Sequence, residues 1–377
     1  MKILFFANTD WFIYNFNRAL ALELADKGHE VVMVSPPGLY SDKFSQFGFR
    51  WHAAPMSRGT LNPLRELSLL FWLYRIFKTE KPDIVHNFTI KCVLLGSMAA
   101  WLASVTSCVN ELTGLGYVFT GKGIKIGIIR RMVLFLFRFV LTRKNYSLLL
   151  LNKSDFEFFR KLDFVSPKSL HLVLGVGVDC DYYIPVKTRK KENFRVALPA
   201  RMLWDKGVGE YVSAAEILKT QGKDIEFWLV GGIDTGNPTS IDKDILIGWV
   251  KSGLVKWLGH VEDMRDVYRS VSVIVLPSYR EGLPTSLTEA AACGLPLIAT
   301  DVPGCSDVVF DGLNGRLIKV KNSAELASAI EQLSENPILC QRYGEASRQI
   351  ALASFDKHII FQQRIHIYNG LISCVHK

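Results

Sequence analysis

The sequence lacks the residue spacings that mark disulfide frameworks and zinc sites. No two of its cysteines stand at a C-x-x-C spacing, and the seven are scattered: Cys92, Cys108, Cys180, Cys293, Cys305, Cys340 and Cys374. Disulfides persist mainly in oxidising compartments, and structural zinc needs clustered thiol or imidazole ligands. We therefore expect a reduced, cytoplasmic protein without disulfides, without a metal site and without a bound cofactor.

We also expect no secretory leader, because the opening MKILFFAN is a short apolar run that is followed by polar residues. One stretch, Cys92–Asn110, has 19 residues without a charge, which is close to the length of a membrane span. It contains one glycine, three serines and one threonine. These residues suit a protein core better than lipid, so we expect a buried helix followed by a strand, SCVN.

A dinucleotide fingerprint is missing as well. The first apolar run ends in ANTDWF, and LVGGIDTGNPTS in the second half does not have the G-x-G-x-x-G spacing. An NAD-binding protein is therefore a weak interpretation. Gly231 and Gly232 nevertheless allow a ligand to approach the backbone closely.

The sequence does contain regular alternation of apolar runs and helical patterns. Its 377 residues and 49% hydrophobic content suggest two domains. The expected strands are KILFFAN, EVVMVSPP, FRWHAAP, DIVHNF, SCVNEL, YSLLLLN, FRVALPAR, EFWLVGG, VKWLGHV, VSVIVLPS, LPLIAT and GRLIKV. Such alternation predicts an α/β protein with doubly wound parallel sheets. We expect a linker over Val173–Asn193, domains at 1–180 and 181–353, and a closing helix within 354–377.

The most informative stretch is Pro277–Gly304, PSYREGLPTSLTEAAACGLPLIATDVPG. A buried strand precedes Glu281, a helix over about Thr285–Cys293 contains Glu289, and another buried strand follows. Open α/β sheets bind ligands at the carboxyl ends of their strands, which is where Glu281 is expected. The start of the helix offers backbone amides to an anion: those of Gly282, Leu283 and Thr285.

This order of elements resembles the E-x7-E signature of the retaining glycosyltransferases of the GT-B fold, family four. The alternative is an ordinary βαβ crossover with a solvated glutamate. The resemblance implies a GT-B fold, with two Rossmann-like domains facing a cleft and a final helix that returns to the first domain. It covers nearly the whole chain, but its motifs lie mainly in the second half. It is closest to bacterial enzymes that add hexose or N-acetylhexosamine to lipid-linked oligosaccharides.

A pair of basic residues follows the first strand of the second half. Arg201 and Lys206 stand five apart in ARMLWDKG. In the family, an Arg and a Lys at this spacing hold the donor diphosphate, and cations there stabilise the charge that develops on the leaving group. We therefore expect metal-independent transfer. The alternative is two solvated basic residues in a loop.

The resemblance assigns further donor contacts. Glu289 matches the glutamate that accepts hydrogen bonds from ribose hydroxyls, and Glu281 matches the one that contacts the donor sugar. The loop LGHVEDM, with Gly259 and Val261, resembles the family's loop around the nucleobase. Retaining transfer proceeds either through a covalent glutamate intermediate or by attack on the same face, and the sequence does not decide between them.

The first half departs from the commoner family pattern. The loop after its first strand, ANTDWFIYNF, has no glycine, and Glu111 stands where many relatives have a histidine. Glu111 and Thr113 are candidates for acceptor binding or proton acceptance, and His86 is a further catalytic candidate at a strand end. A structural carboxylate and a buried, satisfied histidine are the alternatives.

The charge is concentrated in the first half, where residues 1–185 have a net charge of +8 out of +9. Within 112–154 there are eight basic residues and no acidic one, interleaved with apolar runs. This pattern is typical of a helix that lies on an anionic membrane, and we assign the contact to residues 122–144. A core helix with solvated arginines is the alternative. No nucleic-acid motif accompanies the basic residues, so we expect no nucleic-acid partner.

These observations predict a retaining glycosyltransferase, peripheral on the inner face of the cell membrane. It would move a sugar from a nucleotide-diphosphate sugar, with UDP as the expected nucleotide, to a polyprenyl-diphosphate-linked glycan. The pathway would be bacterial surface polysaccharide or glycoprotein assembly. Two alternatives stay open: a non-catalytic GT-B scaffold that binds a glycan or nucleotide, and a GT-B sugar-nucleotide epimerase.

Overall fold

A computed structural model describes residues 1–57, 62–116, 119, 121, 123–186 and 193–373. The predictions made for Lys122, for the side chain of Lys125, for Cys374 and for the basic run at 187–191 lie outside these residues. The chain divides into two compact units. Unit one comprises Met1–Val176 and Ile360–Lys377, and unit two comprises Gly177–Ile359.

Unit one is built on a seven-stranded parallel sheet with the order β3-β2-β1-β4-β5-β6-β7. Its strands are β1 Lys2–Phe6, β2 Glu30–Ser35, β3 Arg50–Ala53, β4 Ile84–Phe88, β5 Ser107–Leu112, β6 Tyr146–Leu150 and β7 Leu170–Leu172. The helices between them are α1 Arg18–Asp26, α2 Pro63–Glu80, α3 Ile90–Leu102, α4 Ile124–Leu141 and α5 Lys153–Leu162. The central strands are buried throughout, as expected of a parallel sheet covered on both faces.

The helices α2, α3 and α4 lie on the same face of this sheet. Buried side chains of α2 and α3 share a core with β1, β2 and β4, and Leu73 and Ala99 are among them. Buried side chains of α4, such as Phe137, pack with Val93 of α3 and with Leu148 of β6. Side chains alternate between the two faces of a strand, so α2, α3 and α4 form one continuous layer with α3 in the middle.

Unit two has a six-stranded parallel sheet with the order β10-β9-β8-β11-β12-β13. Its strands are β8 Phe194–Pro199, β9 Ile225–Val230, β10 Lys256–Trp257, β11 Val273–Leu276, β12 Leu297–Thr300 and β13 Gly315–Ile318. Its helices are α6 Val208–Thr220, α7 Lys243–Lys251, α8 Met264–Ser270, α9 Thr285–Ala292, α10 Ser323–Ser334 and α11 Pro337–Ile350. The chain then enters the last helix, α12 Lys357–Ser373, most of which belongs to unit one.

The predicted α/β architecture with two doubly wound parallel sheets is confirmed. The charge-free stretch from Cys92 does divide into a helix and a strand, α3 and β5. Ahead of α1, a short helical turn at Asp10–Phe12 is capped by Thr9, whose hydroxyl accepts a hydrogen bond from the amide of Phe12. The three-residue strand β7 has no sequence prediction, since so short a run shows no period.

The described cysteines are free thiols, and all but Cys340 are buried. A helix able to span a bilayer is not found in the described parts of the chain, since each one there falls short in length or in continuous apolarity.

Candidate active site

The loops of unit two that hold the predicted donor residues lie at one edge of its sheet. The loop after β8 leads to Arg201 and Lys206, and the loop after β11 leads to Glu281. The strands β8 and β11 are neighbours, and the strand order reverses direction between them. This topological switch point is where open α/β sheets form ligand crevices, because the loops on its two sides part from each other.

The two loops at the switch point are in close contact. Gly207 has a left-handed φ of +72°, and a Cβ added there would lie 2.2 Å from the carbonyl oxygen of Pro277. The amide of Tyr279 donates a hydrogen bond of 2.9 Å to the carbonyl of Asp205. Only glycine permits this approach, which places the end of one loop directly over the start of the other.

Lys206 and Glu281 form an ion pair across these loops. The Lys206 Nζ lies 2.6 Å from Glu281 Oε1, and both side chains are mostly buried. The Glu281 amide donates to the carbonyl of Pro303, and a Cβ on Gly304 would lie 2.3 Å from the Gly282 carbonyl oxygen. The loop of Glu281 is thus fixed from both sides, which orients its carboxylate toward the ammonium group.

Arg201 is paired as well. One guanidinium nitrogen of Arg201 donates to the carboxylate of Asp234, in the loop after β9. The Arg201 side chain is about half exposed, at 48%. A guanidinium that is both oriented and open to solvent is suited to bind an arriving anion such as a diphosphate.

Glu289 lies in a different environment, inside the second turn of α9. Its Oε2 accepts a hydrogen bond of 2.8 Å from the phenol of Tyr268, and the phenol of Tyr183 also donates to its carboxylate. Burial raises the pKa of Glu289 to about 7, although the two phenol hydrogen bonds oppose the shift. The carboxyl group therefore changes its charge within the physiological pH range.

The predicted backbone donors lie where α9 begins. Thr285 is the first residue of the helix, and no side chain caps this end. Gly282 and Leu283 precede it in the same partly buried loop as Glu281. Amides at the start of a helix have no partner within the helix and stabilise an anion.

The glycines of the neighbouring loops have different surroundings. Gly231 has a φ of +145°, and a Cβ there would lie 1.9 Å from the carbonyl oxygen of Ala200, so its glycine is required by close packing of two chain segments. Gly259 and Gly232 have open space on the side where a Cβ would lie, with nothing closer than 3.9 Å. Val261 is half-buried beyond the end of β10. These positions border the same edge of the sheet as Arg201.

The candidates in unit one, Glu111 and His86, are completely buried on adjacent strands. Glu111 Oε2 lies 3.1 Å from Arg364 of α12 and 3.4 Å from His86 Nε2. The His86 Nδ1 hydrogen bonds at 2.7 Å with the hydroxyl of Tyr368. The structure thus brings Glu111 and His86 together, but surrounds both with groups of the chain itself.

The protonation of this buried cluster follows from its charges. Burial alone would raise the pKa of Glu111, but Arg364 and His86 outweigh it and hold that pKa below its usual value. Burial lowers the pKa of His86, although Glu111 opposes the shift. A negative Glu111 paired with a positive Arg364 and a neutral His86 is the charge state that results.

Unit one also contains a pocket of about 510 Å³ at the starts of α2 and α3. Lys91 lines it, with its ammonium 2.6 Å from Glu66 Oε1 and 3.1 Å from the carbonyl oxygen of Ser57. Arg65 adds a second cation, and apolar side chains such as Met56 complete the lining. In the ranges that the structure describes, no three side chains of His, Cys, Asp or Glu converge in a way that would hold a metal ion.

Several partners of these residues were not predicted from the sequence. Asp234, Tyr183 and Tyr268 contact the predicted donor residues, and Arg364 contacts Glu111. Only Asp234 had a local signal, because it lies in the glycine-containing loop after a buried strand.

Comparison with known proteins gives the family. Residues 193–336 match the family described as "Glycosyl transferases group 1", and residues 2–145 match the one described as "Glycosyl transferase 4-like". The chain is 30% identical over 387 residues, covering 100% of both chains, to the N,N'-diacetylbacillosaminyl-diphospho-undecaprenol alpha-1,3-N-acetylgalactosaminyltransferase of Campylobacter jejuni. The chain belongs to the group 1 glycosyltransferases. The family recognised from the E-x7-E signature is thereby confirmed.

Further comparisons find proteins that are similar to this glycosyltransferase in sequence or in fold. It is 26% identical over 289 residues to the UDP-Gal:alpha-D-GlcNAc-diphosphoundecaprenol alpha-1,3-galactosyltransferase of Escherichia coli, covering 73% of this chain and 72% of that one. Among solved structures, Anabaena Alr3699/HepE in complex with UDP and glucose matches with a TM-score of 0.79 and 18% identity, covering 98% of this chain and 100% of that one. The sucrose-phosphate synthase from Thermosynechococcus elongatus matches with a TM-score of 0.80 and 20% identity, covering 99% and 100%. The glycosyltransferase has the GT-B fold, as predicted.

Proposed function

We propose that this glycosyltransferase moves a sugar, with retention of configuration, from a UDP-sugar to a polyprenyl-diphosphate-linked glycan. Hexose and N-acetylhexosamine are the sugar classes, and bacterial surface polysaccharide or glycoprotein assembly is the setting. The observation behind the proposal is the grouping of Arg201, Lys206, Glu281 and the start of α9 at the switch point of unit two. The names of the Campylobacter and Escherichia relatives support the acceptor class.

The donor diphosphate is the ligand that this site fits best. Arg201 and Lys206 are cations already oriented by Asp234 and Glu281, so binding an anion costs little side-chain ordering. When the bond between the sugar C1 and the diphosphate oxygen breaks, the diphosphate leaves with the electron pair. The two cations and the amides at the start of α9 stabilise this charge, so the proposed transfer is metal-independent.

Glu281 is the proposed partner of the sugar. Its carboxylate stabilises the positive charge that develops at C1 while the acceptor hydroxyl oxygen forms the new bond there. The hydroxyl proton is transferred to a base or to the leaving phosphate oxygen. Glu289 binds the ribose hydroxyls, and the loops with Gly231, Gly232, Gly259 and Val261 surround the nucleobase and neighbouring groups.

UDP is the proposed nucleotide because one sequence relative and one solved structure of similar fold are described with it. The Escherichia coli relative is named for UDP-Gal, and the Anabaena structure contains UDP. The backbone at Gly259 has open space on the side where a Cβ would lie, which suits the approach of a flat base.

The acceptor side of the reaction belongs to unit one. The pocket with Arg65 and Lys91 combines cations with apolar lining, which matches the diphosphate and first sugars of a lipid-borne acceptor. For Glu111 and His86 we favour the structural alternative, because each is fully buried and paired with α12.

The proposed position of the enzyme is peripheral, on the inner face of the cell membrane. Ile128, Met132, Phe135 and Phe139 of α4 are exposed and recur every three or four residues, so they form one apolar row along the helix, here called the α4 row. Arg131 and Arg138 are exposed beside it. We expect binding to anionic vesicles that weakens as salt is raised, and that falls further in the Arg131→Glu/Arg138→Glu variant. Unchanged binding would contradict the assignment.

The function itself is tested by screening UDP-sugars with a short-chain polyprenyl-diphosphate sugar as acceptor. We expect one donor to yield an extended lipid-linked product. An epimerase would instead convert or hydrolyse the nucleotide sugar without acceptor, and a scaffold would bind it unchanged. Either result would exclude the proposal.

A further inference from the structure

The helix α2 has an exposed apolar row that is not evident from the sequence alone. Leu64 is 78% exposed, Leu67 63% and Phe71 60%. These residues, here called the α2 row, are three and four positions apart and therefore lie on one side of the helix. The opposite side is buried in the core through Leu69, Leu73 and Phe77, so the α2 row points away from the sheet.

The exposed charges on the helix α2 itself are all positive. Arg65, Arg75 and Lys78 are exposed, and the Arg75 guanidinium lies 6.0 Å from the centre of the Phe71 ring. Both carboxylates of the helix are engaged elsewhere. Glu66 pairs with Lys91, and the buried Glu80 contacts Lys2, Arg50 and His52.

The α2 row and the α4 row belong to the same side of unit one. Both helices pack on α3 and cover the same face of the sheet. Their outer sides therefore face the same direction. The helix α3 between them has no acidic residue and ends in exposed Trp101 and Leu102.

We propose that α2 is a second membrane-contacting helix, so that unit one lies on an anionic bilayer through the α2 row and the α4 row together. The inference rests on the proposed peripheral function and deepens it by naming this additional element. Leu64, Leu67 and Phe71 insert among the lipid headgroups, while Arg75 and Lys78 contact anionic lipid. Two rows separated by α3 fix the orientation of the unit on the surface, which one helix alone would not do.

The charge pattern favours a bilayer over a second copy of the chain. If two copies of the chain met about a two-fold axis through α2, α3 and α4, the exposed cations of α2 and α4 would lie near the same cations of the other copy. Like charges oppose such an interface. An anionic lipid surface is complementary to every exposed charge on α2. It also suits shallow apolar side chains that do not form a pocket.

The test compares vesicle binding of matched variants of the full chain. In co-sedimentation with phosphatidylglycerol-containing vesicles, we expect the Leu67→Ser/Phe71→Ser variant to bind roughly tenfold more weakly than the wild type. Ile338→Ser removes an apolar side chain of unit two that is more exposed than Leu67 or Phe71, and this variant should bind as the wild type does. Thermal unfolding should be unchanged in both, and transfer to a short-chain acceptor in detergent should be retained.

A second measurement reports contact directly. An environment-sensitive fluorophore is attached to Leu67→Cys, with Cys340 and Cys374 replaced by serine, and Ile338→Cys in the same background is the control. We expect a blue shift on vesicles at position 67 and none at 338.

If Phe135→Ser of the α4 row weakens binding while the α2 variant and the fluorophore show no change, the inference fails and the proposed function stands. If the wild type ignores vesicles, the peripheral function fails as well. A dimer that dissociates in the α2 variant would show that a second copy covers the row, which also overturns the inference.

Discussion

The ammonium group of Lys206 lies 2.6 Å from the carboxylate of Glu281, although the two residues are 75 positions apart in the chain. Each belongs to a loop on one side of the switch point, and Gly207 allows these loops to touch. The pair joins the proposed diphosphate contact to the proposed sugar contact. Donor binding would therefore act on both residues at once, and their substitutions should not be additive.

The first prediction concerns Glu281. The Glu281→Ala variant should lose transfer while keeping its fold, because a carboxylate is removed from the site and no core side chain is lost. Turnover with the cognate donor and thermal unfolding measure the two effects. Glu226→Ala, a half-exposed glutamate on β9 that pairs with Arg195, is a control that should keep both. Full turnover of Glu281→Ala would contradict the assignment.

The second prediction concerns the diphosphate contacts. Arg201→Ala and Lys206→Ala should each lower turnover by roughly 10²-fold or more, as expected when a group that stabilises transition-state charge is removed. Lys223→Ala, which removes a surface ion pair with Glu331 and Glu335, is the matched control and should leave turnover intact. Activity should also survive EDTA. Loss in EDTA that Mg²⁺ or Mn²⁺ restores would exclude metal-independent transfer.

The third prediction is a pH dependence through Glu289, whose pKa burial raises to about 7. An ionised carboxylate is the stronger acceptor for ribose hydroxyls, so the UDP-sugar should bind more tightly as pH rises from about 6 to 8. Calorimetric titration measures this dependence, and it should be absent in Glu289→Gln. The same raised pKa also makes the folding stability of the donor-free protein depend on pH, and this dependence has the opposite sign. The folded state holds the proton more tightly than the unfolded state, so its stability should decrease as pH rises through this pKa.

The fourth prediction distinguishes a structural role from a catalytic role for the buried cluster of Glu111, His86 and Arg364 in unit one. Arg364→Met should lower the free energy of unfolding by about 3–5 kcal/mol, because it leaves Glu111 buried without its cation. Arg160→Met, which removes an exposed pair with Glu157, should cost at most about 1 kcal/mol. Denaturant unfolding measures both. Glu111→Gln with normal stability but no turnover would favour the catalytic interpretation of Glu111 over the structural one.

The sequence predicted most of the fold because its signals are local. VIVL of β11 lies between Ser272 and Pro277 and consists only of apolar residues, and the helix that follows ends at a glycine with φ of +67°. The partners of the site depend on contacts between distant segments. Tyr268 and Tyr183 reach Glu289 only through the folded chain, and no local pattern distinguishes them from other tyrosines.

Arg364 is a clearer example of a residue whose contacts no local sequence pattern reveals. An arginine in a terminal helix is normally solvated, yet this one is completely buried and contacts Asn17, Glu111 and Gly175. The exposed α2 row was missed for a related reason. The α2 row and the core residues of α2 are both apolar, and only the side of the helix that the sheet covers distinguishes them.

The most direct test of the central claim is the anomeric configuration of the product. Proton NMR is recorded on the glycan that the wild type forms from an α-linked UDP-sugar and a short-chain polyprenyl-diphosphate sugar, with Glu281→Ala in parallel. We predict an extended lipid-linked glycan whose new bond is α, and no such product from the variant. A β bond, or release of free sugar without extension of the acceptor, would contradict a retaining glycosyltransferase that acts on lipid-linked glycans.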